Sequence, residues 1–295
     1  MTASGFLLYD KPAGRTSFSA LGAFRKAYPG ARIGHTGTLD SFATGLLVVM
    51  VGAYSRVARW FTGLDKVYRA EIVFGQGTDT LDPAGIFTVS GPVPERTALE
   101  AALPAFRGSI LQTPPNFSAI HVQGRRASEL AMEGIEAELA PRRLSIYRLE
   151  MLDYAGGVAD FLIHCSSGTY VRALARDIAH ACGTCAHVRS LRRMKVGPFD
   201  VADSAHDESA LQELPLLKLD PSSASHLGLA TGFIDAGIRK SFLNGDPKAL
   251  ESFAERGTVS KEMAIFDREG CFLGIIETLQ GNPRYVVVMP GKEAA

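Results

Sequence analysis

The chain has 295 residues, 46 % hydrophobic and 21 % charged, and its 31 basic and 31 acidic side chains cancel to a formal net charge of zero. That length supports a full hydrophobic core, with room for one large domain and a smaller one, while zero net charge excludes a protein that attracts polyanions through bulk charge alone. No apolar run reaches the roughly 20 residues of a membrane span, and the chain goes straight into Gly5-Phe6-Leu7-Leu8-Tyr9 without a secretory pattern, so a cytoplasmic location is expected.

The charges are unevenly spread. Residues 1–60 carry seven basic side chains against Asp10 and Asp40, whereas residues 201–295 carry nine basic and fourteen acidic ones. Local basic surface, rather than net charge, is what meets phosphates, although ordinary variation in solvated charge gives the same pattern.

In chain order, residues 5–9 form a first predicted strand, Lys11-Pro12-Ala13-Gly14 a turn, and Thr16 or Ser17 caps a helix through about Ala27. The stretch Arg32–Ala53 follows. It sets one carboxylate, Asp40, in a loop of Gly34, Thr36, Gly37, Thr38, Thr44 and Gly45, and ends in an apolar run, Leu46 to Val51. That run is short and bounded by glycines, so it predicts a buried strand anchoring the loop. By composition Asp40 is a turn or cap residue that accepts backbone N–H bonds. A phosphate loop is a second reading, but the Gly-Lys-Ser/Thr ending is absent.

Lys66–Phe74 alternates as a strand, with Tyr68, Ala70, Ile72 and Phe74 on one face. By pattern alone Tyr68 is a core aromatic. Asp79 and Asp82 are turn-forming carboxylates, since a calcium loop would need other spacing and a terminal Glu. Pro94–Phe106 is a predicted helix with Leu99, Ala102, Leu103 and Phe106 at helical spacing, and residues 123–144 mix Arg and Glu as an exposed helix would. Leu144–Leu149 and Ala159–Ser166 pair around Gly156-Gly157. Val171, Leu174, Ala175, Ile178, Ala179 and Cys182 recur as one buried helix face, with Gly183 as its stop and Arg172 and Arg176 off that face.

Cys182-Gly-Thr-Cys185 is a lone pair with no second pair to complete a zinc site, so the four cysteines are read as reduced structural thiols. His187–Phe199 alternates basic residues on a strand, for which a solvated edge is the plain reading. Pro215–Ser225 is a linker. Beyond it come a helix and strand-like pieces at Met263–Phe266, Phe272–Glu277 and Tyr285–Met289, separated by turns at Arg268–Gly270 and Gln280–Pro283.

Several of these stretches together carry a resemblance. Gly34-His35-Thr36-Gly37-Thr38-Leu39-Asp40 followed by Ala43-Thr44-Gly45-Leu46-Leu47 resembles the signature of bacterial tRNA pseudouridine-55 synthases of the TruB type. The same family is matched by Asp10-Lys11-Pro12-x-Gly14-x-Thr16-Ser17, by Lys66-x-Tyr68, and by Gly75-Gln76-x-Thr78-Asp79-Thr80-x-Asp82-x-x-Gly85. Gln112-x-Pro114-Pro115-x-Phe117-Ser118-Ala119, Gly168-Thr169-Tyr170-x-Arg172 and Leu191-Arg192-Arg193 complete the set. Two departures stand out. Ser41 replaces the usual Pro after the acid, which predicts a freer loop, and Ile120-His121 stands where many members carry a Lys.

The resemblance implies an α+β pseudouridine-synthase fold, with a mixed, mostly antiparallel sheet split by a central cleft. Residues 1–225 would be the catalytic domain, about 123–144 an RNA-gripping insertion, and 226–295 a small β-rich, PUA-like domain. Asp40 would be the catalytic nucleophile. His35, Tyr68, Tyr170, Arg172, Leu191 and Lys11 would meet the substrate: the two tyrosines around the target uracil, Arg172 paired with the acid to orient it and favour its charged form, and the Leu191 backbone lining the pocket. The implied reaction turns a uridine of the tRNA T-loop into pseudouridine after the base is flipped out. The T-stem-loop of tRNA is the expected partner of a monomer that needs no cofactor and no metal. Two other classes stay open at this stage, a non-catalytic RNA-binding protein on the same fold and an enzyme of free nucleosides.

Overall fold

The computed structural model describes residues 3–254, 262–279 and 281–290. Seven strands form the spine of a mixed sheet: β1 (Gly5–Lys11), β2 (Thr44–Val51), β3 (Lys66–Phe74), β4 (Gly108–Gln112), β5 (Arg142–Ala155), β6 (Val158–Cys165) and β7 (Ala186–Val196). Their order is β1-β2-β7-β3-β6-β5-β4, with short strands Ile33–His35 on β2 and Phe199–Asp200 on β7. All neighbours along the spine are antiparallel except β2 and β7.

That exception makes the cleft. The parallel pairing of β2 with β7 covers only Thr44–Arg192 and Gly45–Arg193. Further along the same edge of β2, Val49–Val51 are paired with Ile33–His35 instead. Two partners share one edge, and residues 36–43, including Asp40, loop out between them. Gly45 is required at the junction. Its φ is +103°, and a Cβ there would lie 2.3 Å from the Arg193 carbonyl oxygen.

Periodicity placed most elements well. β2 is fully buried from Gly45 on because it is covered on both faces. On β3, Tyr68, Ala70, Ile72 and Phe74 alternate into the core. Helix α1 (Ser17–Ala27) is capped by Thr16, whose side chain accepts from the Ser19 amide at 3.0 Å. Helix α2 (Val171–Ala181) lays Leu174, Ala175, Ile178 and Ala179 on the same core as Tyr68, and Gly183 ends it with φ +68°. The Pro94–Phe106 helix is a helix at Arg96–Ala102 that tightens into a 3₁₀ turn at Leu103–Phe106. Cys165, Cys182, Cys185 and Cys271 are free thiols.

Three expectations are corrected. The 123–144 segment is no continuous helix: its helical part is Ala127–Met132, opened by a tiny hairpin of His121–Val122 and Arg125–Arg126. Leu130 is half-buried and Met132 exposed, so there is no buried apolar face to extend the helix. The basic strand β7 is central rather than a solvated edge. And Pro215–Ser225 is packed instead of a free linker: Leu217 and Phe6 exchange backbone hydrogen bonds at 3.0 and 2.9 Å, and Leu219 is buried.

The C-terminal portion has a four-stranded sheet in the order β8 (Ala230–Ile234), β9 (Glu262–Asp267), β10 (Phe272–Leu279), β11 (Asn282–Val288), with β8 parallel to β9. β8 was not anticipated. It runs directly into a helix, Ala236–Leu243. One residue of the expected turn, Gln280, lies outside the described residues. The two sheets share packing: Phe6, Leu8, Trp60 and Phe61 belong to one apolar cluster with Ala264, Phe266, Ile275 and Val287. Trp60 Nε1 donates to Glu262 at 2.8 Å. Among the described residues no helix is long and apolar enough to cross a membrane.

Candidate active site

The loop after Ile33–His35 is pinned before it reaches Asp40. The Ser17 hydroxyl, at the start of α1, accepts from the Leu39 amide at 2.8 Å and donates to the Leu39 carbonyl at 3.1 Å. On the far side, the Ser41 carbonyl accepts from the Gly14 amide at 2.8 Å and from Lys11 Nζ at 3.5 Å. The loop is therefore held on both flanks despite the missing proline, and the Asp40 side chain is left about one-third exposed.

Arg172 meets it from the first turn of α2. Nε donates to Oδ2 and Nη2 to Oδ1, both at 2.9 Å, a bidentate pair. The guanidinium is buried, and its other bonds go to the Thr80 carbonyl at 2.8 Å and the Phe117 carbonyl at 3.0 Å. A second carboxylate, Asp82, lies 3.5 Å from Nη1 and is itself held by the Thr80 hydroxyl and the Ala84 amide. The turn at 79–85 thus does more than reverse the chain: it fixes Arg172, which fixes Asp40.

Both groups open onto a cavity of about 450 Å³ whose wall also carries Tyr68, Tyr170, Leu191, Lys66 and Arg193. Tyr170 precedes α2, and Gln112 clamps it, accepting from its amide at 2.9 Å and donating to its carbonyl at 3.2 Å. Burial pushes the phenols of Tyr68 and Tyr170 above their ordinary range, so both are protonated at neutral pH. Arg126 and Ser128 bring the 123–144 segment to the rim.

Five of the seven expected site residues, Asp40, Tyr68, Tyr170, Arg172 and Leu191, therefore converge on one cavity. Two do not line it. Lys11 is fully buried, and its ammonium donates to the carbonyls of Pro12 and Arg15 at 2.8 Å as well as to that of Ser41. It ties two turns together behind the acid instead of facing a ligand. His35 is half-buried on its short strand, and its buried Nδ1 finds no hydrogen-bond partner among the described residues. Burial, reinforced by the nearby Arg193 charge, lowers its pKa and keeps the ring neutral.

Sequence reasoning missed Lys66, Arg193, Gln112 and the role of Asp82. Arg193 had a usable signal, since Leu191 and Arg193 are two apart on a strand and so share a face.

Residues 25–171 match the family model described as the TruB family pseudouridylate synthase N-terminal domain, and residues 172–218 match that of the tRNA pseudouridylate synthase B C-terminal domain. The tRNA pseudouridine synthase B of Borreliella burgdorferi (strain ZS7) is 42 % identical over 220 residues, 74 % of this chain and 78 % of that protein. That of Borrelia garinii subsp. bavariensis is 37 % identical over 290 residues, 97 % of this chain and 99 % of that one.

The chain belongs to the TruB family of pseudouridylate synthases.

Its fold is also that of a chain in a structure of an H/ACA RNP bound to a substrate RNA containing 2′-deoxyuridine, with a TM-score of 0.68 at 19 % identity over 98 % of this chain and 86 % of the other. As a TruB-family member it is an isomerase that makes pseudouridine. The cavity suits that chemistry: an acid oriented by an arginine, and aromatic side chains for a base.

Proposed function

We propose that this enzyme acts on tRNA and isomerises the uridine at position 55 of the T-loop to pseudouridine. An RNA loop is the natural target, because its bases are partly unstacked and can be taken out one at a time. In this reading the uridine enters the cavity between Tyr68 and Tyr170 and lies against the Leu191 backbone. Neutral His35 helps fill the space the base has left. Asp40 acts on the nucleotide as a nucleophile or as a proton acceptor on the sugar, with its carboxylate aimed by Arg172. The C1′–N1 bond breaks, the uracil rotates while bound, and C5 bonds to C1′ as its proton leaves. Lys11 serves by holding the loop instead of by touching RNA.

The 123–144 segment, which brings Arg126 to the rim, grips the stem-loop as an insertion in a catalytic domain spanning 1–225. Residues 226–295 act as a PUA-like unit. The enzyme works as a monomer in the cytoplasm, without cofactor or metal.

The observation that carries the reading is the bidentate Asp40–Arg172 pair opening onto a cavity lined by Tyr68, Tyr170 and Leu191. The test is a T-stem-loop RNA bearing tritium at C5 of the uridine at position 55 alone. Tritium should be released with one pseudouridine formed per RNA. Release only from RNAs labelled elsewhere would reject the position, and turnover of free uridine or UMP would reject the RNA substrate.

A further inference from the structure

Arg193 is the largest fully buried side chain of the described residues, 1 % exposed, yet none of those residues places a carboxylate within ion-pair distance of it. Its Nε donates to the Leu46 carbonyl at 2.7 Å and its Nη2 to the Gly37 carbonyl at 3.0 Å, and it lies beside the Tyr68 phenol. Lys66 is buried on the same wall, with two of its three donors on the Thr62 and Leu64 carbonyls at 2.7 and 2.5 Å, and it too has no ion pair there. Asp40, the one carboxylate of the wall, is engaged by Arg172. The crowding is felt by the neighbours: the Arg193 charge works against protonation of Lys11, His35 and Lys66 alike. A buried charge without a counter-charge is costly. Two of them on one cavity wall call for an anion in the cavity.

We propose that Lys66 and Arg193 are catalytic groups that hold the negative charge the uracil ring acquires during the reaction. This rests on the uridine isomerisation above but on none of its open details. If Asp40 attacks C1′, or takes a proton from C2′, the C1′–N1 bond breaks and its electron pair stays on the uracil, spread over N1, O2 and O4. If Asp40 attacks C6, the ring π electrons move onto O4. Each route makes an anionic ring in this cavity. The charge is discharged when C5 bonds to C1′, the bond to Asp40 breaks or the C2′ proton returns from it, C5 loses its proton, and N1 takes one up. Two fixed cations at the wall stabilise the charge as it develops and need no rearrangement to do so.

The test compares two T-stem-loop RNAs in single-turnover reactions of the full chain, one with uridine at the target position and one with 5-fluorouridine, whose fluorine withdraws charge from the ring. Lys66→Met should slow consumption of the uridine RNA about 100-fold, near the loss seen when one such donor is removed, while RNA affinity changes less than about three-fold. Its loss on the 5-fluorouridine RNA should be smaller by about ten-fold or more, and Lys66→Arg should restore most of the rate. The ratio of the two losses is read on the same folded molecules, so a weakened fold cancels from it. Equal losses on both RNAs would assign Lys66 a structural role and overturn the proposal. So would an unchanged saturating rate with weaker, less salt-dependent binding, which marks a phosphate contact. Wild-type enzyme that leaves the uridine RNA untouched would instead remove the T-loop assignment, and this proposal with it.

Discussion

Arg172 commits four hydrogen bonds to three partners, and two of them go to Asp40. A lysine is a point charge on a flexible stem and cannot grip a carboxylate through both oxygens while also holding two carbonyls. Arg172→Lys should therefore lower the single-turnover rate by about 100-fold or more with RNA affinity little changed. A loss confined to affinity would mean that Arg172 binds RNA instead of aiming the acid. The arginine and its acid were legible in the sequence because both sit in extended motifs. Lys66 was not, and Arg193 only through its spacing from Leu191, since a basic residue alternating along a strand looks solvated until its neighbours in the sheet are known. Lys11 was expected to meet the substrate, but its side chain faces backbone carbonyls, a contact no spacing rule predicts.

Strand β2 depends on one glycine. Gly45 combines a left-handed backbone with the close approach of β7, so Gly45→Ala should destabilise the fold by at least about 2 kcal/mol and disrupt the β2–β7 junction that forms the loop. Urea unfolding measures it; a change below about 0.5 kcal/mol would show that the junction relaxes freely. Elements with strong periodicity, such as β3 and α2, were readable because burial of one face decides both the pattern and the fold. β8 escaped because Ala230-Thr-Gly-Phe-Ile234 has no alternation, and its pairing partner is some thirty residues away. The 123–144 segment misled because interleaved Arg and Glu fit a helix surface and a solvated loop equally well.

Across the whole molecule, two buried lysines set the response to pH. Burial pushes Lys11 and Lys66 down to about 8 from an ordinary value of 10.5. The unfolded chain keeps these protons to near 10.5, so between about pH 8 and 10 it binds more protons than the folded chain, and stability rises with pH. Above that range the trend reverses, because unfolded tyrosines ionise while burial holds Tyr54 and Tyr285 protonated to about 12. The urea midpoint should climb between pH 7.5 and 9.5, and climb less in Lys66→Met. A midpoint that falls steadily over that range would contradict the burial of these ammonium groups.

At this scale the sequence pointed to a linker at 215–225, whereas the cores on either side of it are joined through Tyr54, Trp60 and Phe272. That joining depends on contacts distant in sequence and leaves no local signature. The central claim is that one carboxylate performs chemistry on a uridine held in this cavity. Asp40→Asn keeps the shape of the side chain and removes its charge. With a T-stem-loop RNA tritiated at uridine C5, the variant should bind within a few-fold of wild type and release no tritium. Release at a rate comparable to wild type would contradict the account.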